Sequence, residues 1–68
     1  MTDTKKLEDA ITKSGFKKYS IAEKIGIDRA TLTKKINNVT EFKASEIAML
    51  SEILDLSAVE KDSIFYME

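Results

Sequence analysis

The chain has 68 residues, of which 34% are charged, with a net charge of −1 at pH 7 and neither cysteine nor histidine. So short a chain has room for one domain with a small core, because it buries only about 60% of its unfolded surface. The missing residue types exclude disulfides, thiol catalysis and the usual zinc sites, so side-chain packing must hold the fold.

The N-terminal sequence MTDTKKLED lacks the apolar run of a signal peptide. No segment approaches the roughly 18 apolar residues of a membrane span. We therefore expect a cytoplasmic protein that does not bind a membrane. The absence of proline and the scarcity of alternating apolar and polar stretches predict an all-α fold.

The first predicted helix spans about Thr4–Ser14. Three of its apolar residues have the spacing of one buried face: Leu7, Ala10 and Ile11. Gly15 is expected to end the helix, because glycine adopts the left-handed conformation at little steric cost. Phe16 is expected to pack beneath the turn that follows.

Residues 17–38 have the pattern of two short helices joined at a glycine. Ser20 predicts the start of the first of these helices, because its hydroxyl can cap free backbone N–H groups. Ile21 and Ile25 then share one face. Gly26 is expected to end the helix in a left-handed turn.

The second helix of this pair is predicted over residues 29–37, with Asp28 as its N-terminal cap. Leu32 and Ile36, four residues apart, form a narrow buried stripe. The outward face then carries Arg29, Ala30, Thr33 and Lys34, with Lys35 at its flank. A helix of this kind is thin enough to enter the major groove of DNA.

Positive charge is concentrated in the same pair of helices. Residues 17–38 contain six basic and two acidic side chains, a net charge of +4, whereas residues 39–68 contain two and seven, a net charge of −5. A positive potential on the helix pair favours nucleic acid as a partner, and the acidic remainder of the chain limits non-specific binding.

A turn is expected at Asn37 and Asn38, since asparagine tolerates positive φ. A loop over residues 39–43 follows, with Phe42 as its apolar anchor. A fourth helix is predicted over about residues 44–55, because apolar residues repeat there at intervals of three and four. Its inward residues are Ile47, Leu50, Ile53 and Leu54.

Ser57 and Glu60 form an S-x-x-E capping box, which predicts a fifth helix over about residues 58–64. The apolar tail that follows consists of Phe65, Tyr66 and Met67. It either fills the base of the core or crosses to a partner subunit.

Two further groups of residues each have two interpretations. Core packing is favoured over a dimer surface for Met49, Ile53 and Leu56. The sequence has no ligand loop, so a solvated face is favoured over a metal site for Glu52, Asp55, Glu60 and Asp62.

Five residues of the central pair have a characteristic spacing: Ala22, Gly26, Ile27, Leu32 and Asn37. This spacing resembles the helix-turn-helix of the lambda-repressor and Cro-like family. The later run EFKASEIAMLSEILDLS also resembles the fourth helix of small phage repressors. The resemblance covers nearly the whole chain, and it implies a compact five-helix DNA-binding domain over residues 1–68 with its helix-turn-helix unit at about residues 18–37.

Two positions depart from that family. Lys35 occupies a place where the family often has an apolar residue, so Ile36 is expected to provide the inner contact of the second helix. Asn38 replaces a common glycine, which the turn should tolerate at small cost.

The resemblance implies a sequence-specific transcriptional regulator of the phage repressor or Cro type, in a bacterial cell or a phage-infected host. Such a protein binds double-stranded operator DNA as a homodimer, on half-sites about 34–36 Å apart, with its second helix in the major groove. Neither a cofactor, a metal, a small-molecule ligand nor enzyme activity is expected.

The residues expected to read bases lie on and before the second helix. Arg29 can donate two hydrogen bonds to guanine. Thr33 is expected to contact a thymine methyl group, and Ala30 to allow close approach. Lys34 reaches either a base or a phosphate. Asp28 has two interpretations, a contact to cytosine and a helix cap, and capping alone explains it.

Phosphate contacts are expected on both flanks of the second helix. The start of the first helix resembles the family's backbone clamp, where N–H groups and the helix dipole favour a phosphate. The expected phosphate-binding residues are Lys17, Lys18, Ser20, Lys35, Asn37, Asn38 and Lys43. Each lysine among them has the alternative of a simple hydrated surface side chain.

Two other functions stay open at the level of sequence. A helix-turn-helix also serves as a protein-binding module, for instance an antirepressor that docks on another regulator, and the net acidity of the chain favours this alternative. The other is a DNA-recognition subunit of a larger machine, such as an excision or packaging complex, in which a partner supplies the specificity.

Overall fold

The computed structural model describes residues 1–66, and five helices lie within that range. They are α1 (Thr4–Ser14), α2 (Lys18–Ile25), α3 (Arg29–Ile36), α4 (Ala44–Ile53) and α5 (Ala58–Phe65). No strand occurs in this described part of the chain, so the predicted all-α class is confirmed. No helix in residues 1–66 combines the length and the apolarity needed to span a bilayer.

The core is built from one apolar face of each helix. Its most deeply buried large side chains are Leu7, Ile21, Leu32, Ile36 and Leu50. Because these residues come from α1 to α4, their packing fixes four helices to one another. The body that results measures 26 × 24 × 20 Å.

The C-terminal helix closes the core through Phe65, which is 4% exposed. Its ring meets that of the loop anchor Phe42 edge-on, with ring centroids 5.5 Å apart. Phe65 therefore belongs to the core. Tyr66 is exposed, and Met67, which was expected in the same tail, lies outside the described residues.

Most helix ends lie where the sequence predicts them. Gly15 and Gly26 end α1 and α2 with φ of 79° and 83°, the left-handed conformation that glycine adopts without strain. Ser57 and Glu60 form the predicted capping box: the Ser57 hydroxyl accepts from the Glu60 N–H at 3.1 Å, and the Glu60 carboxylate accepts from the Ser57 N–H at 2.9 Å. The fourth helix is shorter than predicted, because Leu54 caps it and residue 55 turns to positive φ.

The prediction that Ser20 starts the second helix is wrong. Helix α2 begins at Lys18, after an extended Lys17, and Ser20 lies inside its first turn. Lys17 provides no side-chain cap. The N-terminus of α2 therefore presents backbone N–H groups without a side-chain acceptor, an arrangement that suits a phosphate oxygen.

Phe16 does not pack beneath the turn after α1, as the sequence led us to expect. Its side chain is 41% exposed, and the Lys24 ammonium lies 5.3 Å from the centroid of its ring. This is a cation–π contact at the surface, worth about 0.5–1 kcal/mol at an exposed site. It ties the segment between α1 and α2 to the last turn of α2.

Candidate nucleic-acid interface

Helices α2 and α3 are joined by a tight turn at Gly26. The N–H of Gly26 donates to the carbonyl of Glu23 at 3.2 Å, and the N–H of Ile27 donates to the carbonyl of Ala22 at 3.0 Å. Ile27 packs partly buried against the core. These bonds satisfy the last carbonyls of α2 and fix the direction in which α3 leaves the turn.

Asp28 caps α3 as predicted. Its carboxylate accepts a hydrogen bond from the Thr31 N–H at 2.7 Å, and the hydrogen bonds from Thr31 hold the pKa of Asp28 below its usual value. The capped conformation is thus favoured at neutral pH, and this contribution is lost as the pH falls through the lowered pKa. Asp28 is also exposed beside Arg29, at the start of the outward face.

The outward face of α3 contains four exposed residues: Arg29, Ala30, Thr33 and Lys34. At 3.6 residues per turn they cover an arc of about 140°. Leu32 and Ile36 lie on the opposite side, 0% and 1% exposed. The arrangement predicted for this helix is therefore present, and its side chains reach solvent together.

On the N-terminal flank, Lys17 is exposed and stands directly before α2. The Lys18 ammonium lies 2.9 Å from the Glu8 carboxylate of α1, with both side chains about one-third exposed. Lys18 is therefore paired already, whereas Ser20 is half-buried within the helix. Of the three residues predicted here, only Lys17 is exposed.

Tyr19 was not among the candidate site residues predicted from the sequence. It lies in the first turn of α2 and is 64% exposed. Tyr19 is the second residue of α2, and its exposed phenolic O–H can both donate and accept hydrogen bonds. The available indication was an aromatic residue two positions before the inward stripe of Ile21 and Ile25.

On the C-terminal flank, Asn37 and Lys43 are exposed. Asn38 adopts the predicted left-handed conformation, with φ of 63°. Its side-chain amide accepts from the Thr2 N–H and donates to the Thr2 carbonyl, both at 2.9 Å. The amide of Asn38 thus holds the N-terminal segment, which leaves it less suited than Asn37 to bind a phosphate.

The expectation that Lys35 lies at the flank of the outward face is wrong. Lys35 is 7% exposed, and its ammonium lies 2.8 Å from the Glu46 carboxylate. The same ammonium donates to the carbonyl of Glu41 at 3.1 Å. Because Lys35 follows Leu32 by three residues, it lies on the inner arc of α3 and is removed from the predicted phosphate contacts.

Glu46, the partner of Lys35, is 5% exposed in the first turn of α4 and also accepts from the Lys43 N–H at 2.8 Å. Burial alone would raise the pKa of Glu46. The hydrogen bonds from Lys35 and from the Lys43 N–H more than offset that effect and hold its pKa below the usual value. The Glu46 carboxylate is therefore ionised at neutral pH.

The acidic residues of the C-terminal half are exposed, as expected of a solvated face: Glu52, Asp55, Glu60 and Asp62. No group of acidic residues in the described part of the chain is arranged to hold a metal ion. Ile53 and Leu56 pack partly buried against the core, and Met49 is 37% exposed. Val59 on α5 is the more prominent apolar side chain, at 79% exposed.

A short helix held by a glycine turn against its predecessor, with a basic face turned to solvent, is the architecture of a helix-turn-helix DNA-binding protein. Comparison with family models agrees, since the model of the Cro/C1-type HTH DNA-binding domain matches residues 6–60. The chain belongs to this family, which confirms the resemblance seen in the sequence. The family is one of regulators and not typically of enzymes. Comparison with curated proteins and with solved structures found no match.

Proposed function

We propose that the protein is a cytoplasmic transcriptional regulator of the phage repressor or Cro type that reads operator half-sites in double-stranded DNA. The observation that carries this proposal is the outward face of α3, which is basic and exposed. No hydrogen bond or ion pair to another residue in 1–66 engages the side chains of Arg29 or Lys34. Both cations are available to a ligand that enters along α3.

Base recognition is assigned to the outward face. Arg29 stands at the first position of α3, where its planar guanidinium can donate two hydrogen bonds to guanine O6 and N7. The methyl group of Thr33 suits a thymine methyl, and Ala30 leaves room for the helix to approach. Lys34 reaches a base edge or the adjacent phosphate. Asp28 acts first as the N-terminal cap of α3, so it fixes the start of the helix at Arg29.

Phosphate binding is assigned to the two flanks of α3. On one flank Lys17, Tyr19 and the uncapped N-terminus of α2 offer a charge, a hydroxyl and N–H groups. On the other flank Asn37 and Lys43 are exposed. Lys18 contributes when a phosphate competes with Glu8 for its ammonium.

We assign a homodimer to the DNA-bound state. Helix α3 has eight residues and is about 12 Å long, so one copy contacts only a few base pairs. Two copies related by a two-fold axis would place their α3 helices in successive major grooves about 34–36 Å apart. The operator is then an inverted repeat, and occupancy of it blocks polymerase access.

A second candidate is a protein-binding module, such as an antirepressor that docks on another regulator. Two observations favour it: the net charge of −5 over residues 39–68 and the exposed Val59 of α5. A recognition subunit of an excision or packaging complex would keep the DNA contacts but take its specificity from a partner.

A salt titration of duplex binding separates these candidates. Phosphate contacts make log affinity fall linearly with log salt, with a slope of about −0.9 for each neutralised phosphate. We expect Lys17→Ala to make the slope shallower by about 0.9, because one phosphate contact is lost. Lys13→Ala, an exposed lysine in the last turn of α1, is the matched control and should leave the slope unchanged. An affinity for duplex DNA that is absent or independent of salt would favour the protein partner instead.

A further inference from the structure

The pair formed by Lys35 and Glu46 connects three parts of the protein. Lys35 lies in the last turn of α3, Glu46 in the first turn of α4, and the Glu41 carbonyl in the loop between them. Both side chains are less than one-tenth exposed. A lysine at this place costs desolvation of a charge, and apolar residues of similar volume would pack there at equal or lower cost. Packing alone therefore does not account for the pair.

The apolar contact of α3 with the core is narrow. Leu32 and Ile36 are separated by about 40° around the helix axis, at 3.6 residues per turn. A helix of eight residues that rests on so narrow a stripe can roll about its own axis, since apolar contacts have no preferred direction. Lys35 lies about 60° beyond Leu32, on the side away from Ile36.

Hydrogen bonds differ from apolar contacts in having a preferred geometry. The Lys35 ammonium has two acceptors, at 2.8 Å and 3.1 Å, and one of them is a carboxylate already held by the Lys43 N–H. A charge-assisted bond of this kind is short and directional. Rolling α3 in either direction would lengthen it while Leu32 stays buried.

We infer that Lys35 and Glu46 are positioning residues, which fix the roll of α3 about its axis and thereby the base preference of its outward face. The inference rests on the proposed function and deepens it. With side chains at a radius of about 5–6 Å, a roll of 20° moves their tips by about 2 Å. Hydrogen bonds to base edges do not survive such a displacement, because their heavy-atom distances lie within about 2.7–3.2 Å.

The decisive variant replaces the pair by an apolar one, Lys35→Leu with Glu46→Leu. It keeps the burial and removes the directional contact made by Lys35. The loss of the Glu46 acceptor for the Lys43 N–H offsets part of the gain from removing two buried charges, so we expect a melting temperature close to that of the wild type. We expect the ratio of affinities for the selected operator and for a duplex changed at the Arg29 position to fall about tenfold, the worth of one good base contact. The single variant Lys35→Arg keeps a cation with several N–H donors facing Glu46. It should therefore keep most of the wild-type affinity ratio.

Salt dependence tells positioning from direct contact. Since the pair carries no net charge and does not face the DNA, the doubly substituted protein should keep the wild-type slope of log affinity against log salt. A slope shallower by about 0.9 in that variant would identify Lys35 as a phosphate contact and overturn the positioning role. An unchanged affinity ratio at wild-type stability would overturn it equally.

Failure of the inference differs from failure of the proposed function. If the wild-type protein discriminates between duplexes and the apolar pair discriminates equally well, only the positioning role is lost. If the wild-type protein prefers no duplex, the proposed function fails and the positioning role fails with it. Should the apolar pair not fold, Lys35→Leu with Glu46→Gln takes its place, because the Gln amide oxygen still accepts from the Lys43 N–H while the hydrogen bond from Lys35 is gone. The same fall in the affinity ratio is expected, and its absence contradicts the inference.

Discussion

Replacing Leu32 by alanine is expected to reduce the free energy of unfolding by about 2–5 kcal/mol, the cost of truncating a buried leucine and leaving a cavity. Leu32 is 0% exposed and is one of only two apolar side chains that attach α3 to the core. A domain of this length has a total stability of about 3–10 kcal/mol. The loss therefore approaches or exceeds what holds the domain folded, and α3 detaches as the core opens.

Urea unfolding followed by circular dichroism measures this effect. The matched control is Val59→Ala, which removes an apolar side chain that is 79% exposed and should change the unfolding free energy by less than about 0.5 kcal/mol. A change below about 1 kcal/mol for Leu32→Ala would show that the inner stripe of α3 does not carry its attachment.

Lys35→Leu alone should be as damaging, with a loss of about 3–5 kcal/mol at neutral pH, because it leaves the Glu46 carboxylate buried without its cation. The pKa of Glu46 would then rise above its unfolded value, because the remaining hydrogen bond from the Lys43 N–H offsets only part of the effect of burial. The folded state would bind a proton more tightly than the unfolded state, so the deficit should shrink as the pH is lowered from 7 towards 5.

The pH dependence of thermal unfolding tests this prediction. Lys34→Leu is the matched control, because it removes the neighbouring lysine from the exposed face of the same helix and should cost less than about 0.5 kcal/mol at either pH. The buried ion pair would be contradicted if both variants lost the same unfolding free energy. It would also be contradicted if the loss for Lys35→Leu did not shrink on acidification.

Local chemistry made most helix ends predictable. Gly15, Gly26 and Asp28 act through their own backbone preference or through a hydrogen bond three residues away, so the sequence nearby contains all the relevant information. The same holds for the capping box at Ser57. The inner stripe of α3 was predictable for a similar reason, because helical spacing alone places Leu32 and Ile36 on one face.

Two of the misplaced residues, Lys35 and Asn38, depend on contacts between distant parts of the chain. Lys35 was assigned to the flank of the outward face, but it is buried against a counter-ion, Glu46, that lies eleven residues along the chain in another helix. Asn38 holds Thr2 across 36 residues. The start of α2 was misjudged because Ser20 is a good cap, whereas the helix begins earlier without a side-chain cap. Spacing within one element contains no record of such partners.

The residues predicted for the outward face of α3 are therefore exposed, whereas the list of flanking residues available to bind phosphate differs from the prediction. Lys17, Asn37 and Lys43 remain accessible, and Tyr19 joins them. Lys35 leaves the set, and the side chains of Lys18 and Asn38 have partners within the protein. The electrostatic contribution to binding should accordingly rest on fewer lysines than the sequence contains.

Selection of bound sequences from random duplex DNA, performed with the wild type and with Arg29→Ala, tests the central claim most directly. The wild type should enrich an inverted repeat whose half-site centres lie about 10–10.5 base pairs, or a multiple of that spacing, apart. Arg29→Ala should enrich the same repeat with the preference relaxed at one guanine of each half-site, a loss of about 1–3 kcal/mol of discrimination. No enriched sequence, or identical preferences for the two proteins, would contradict the assignment of base reading to α3.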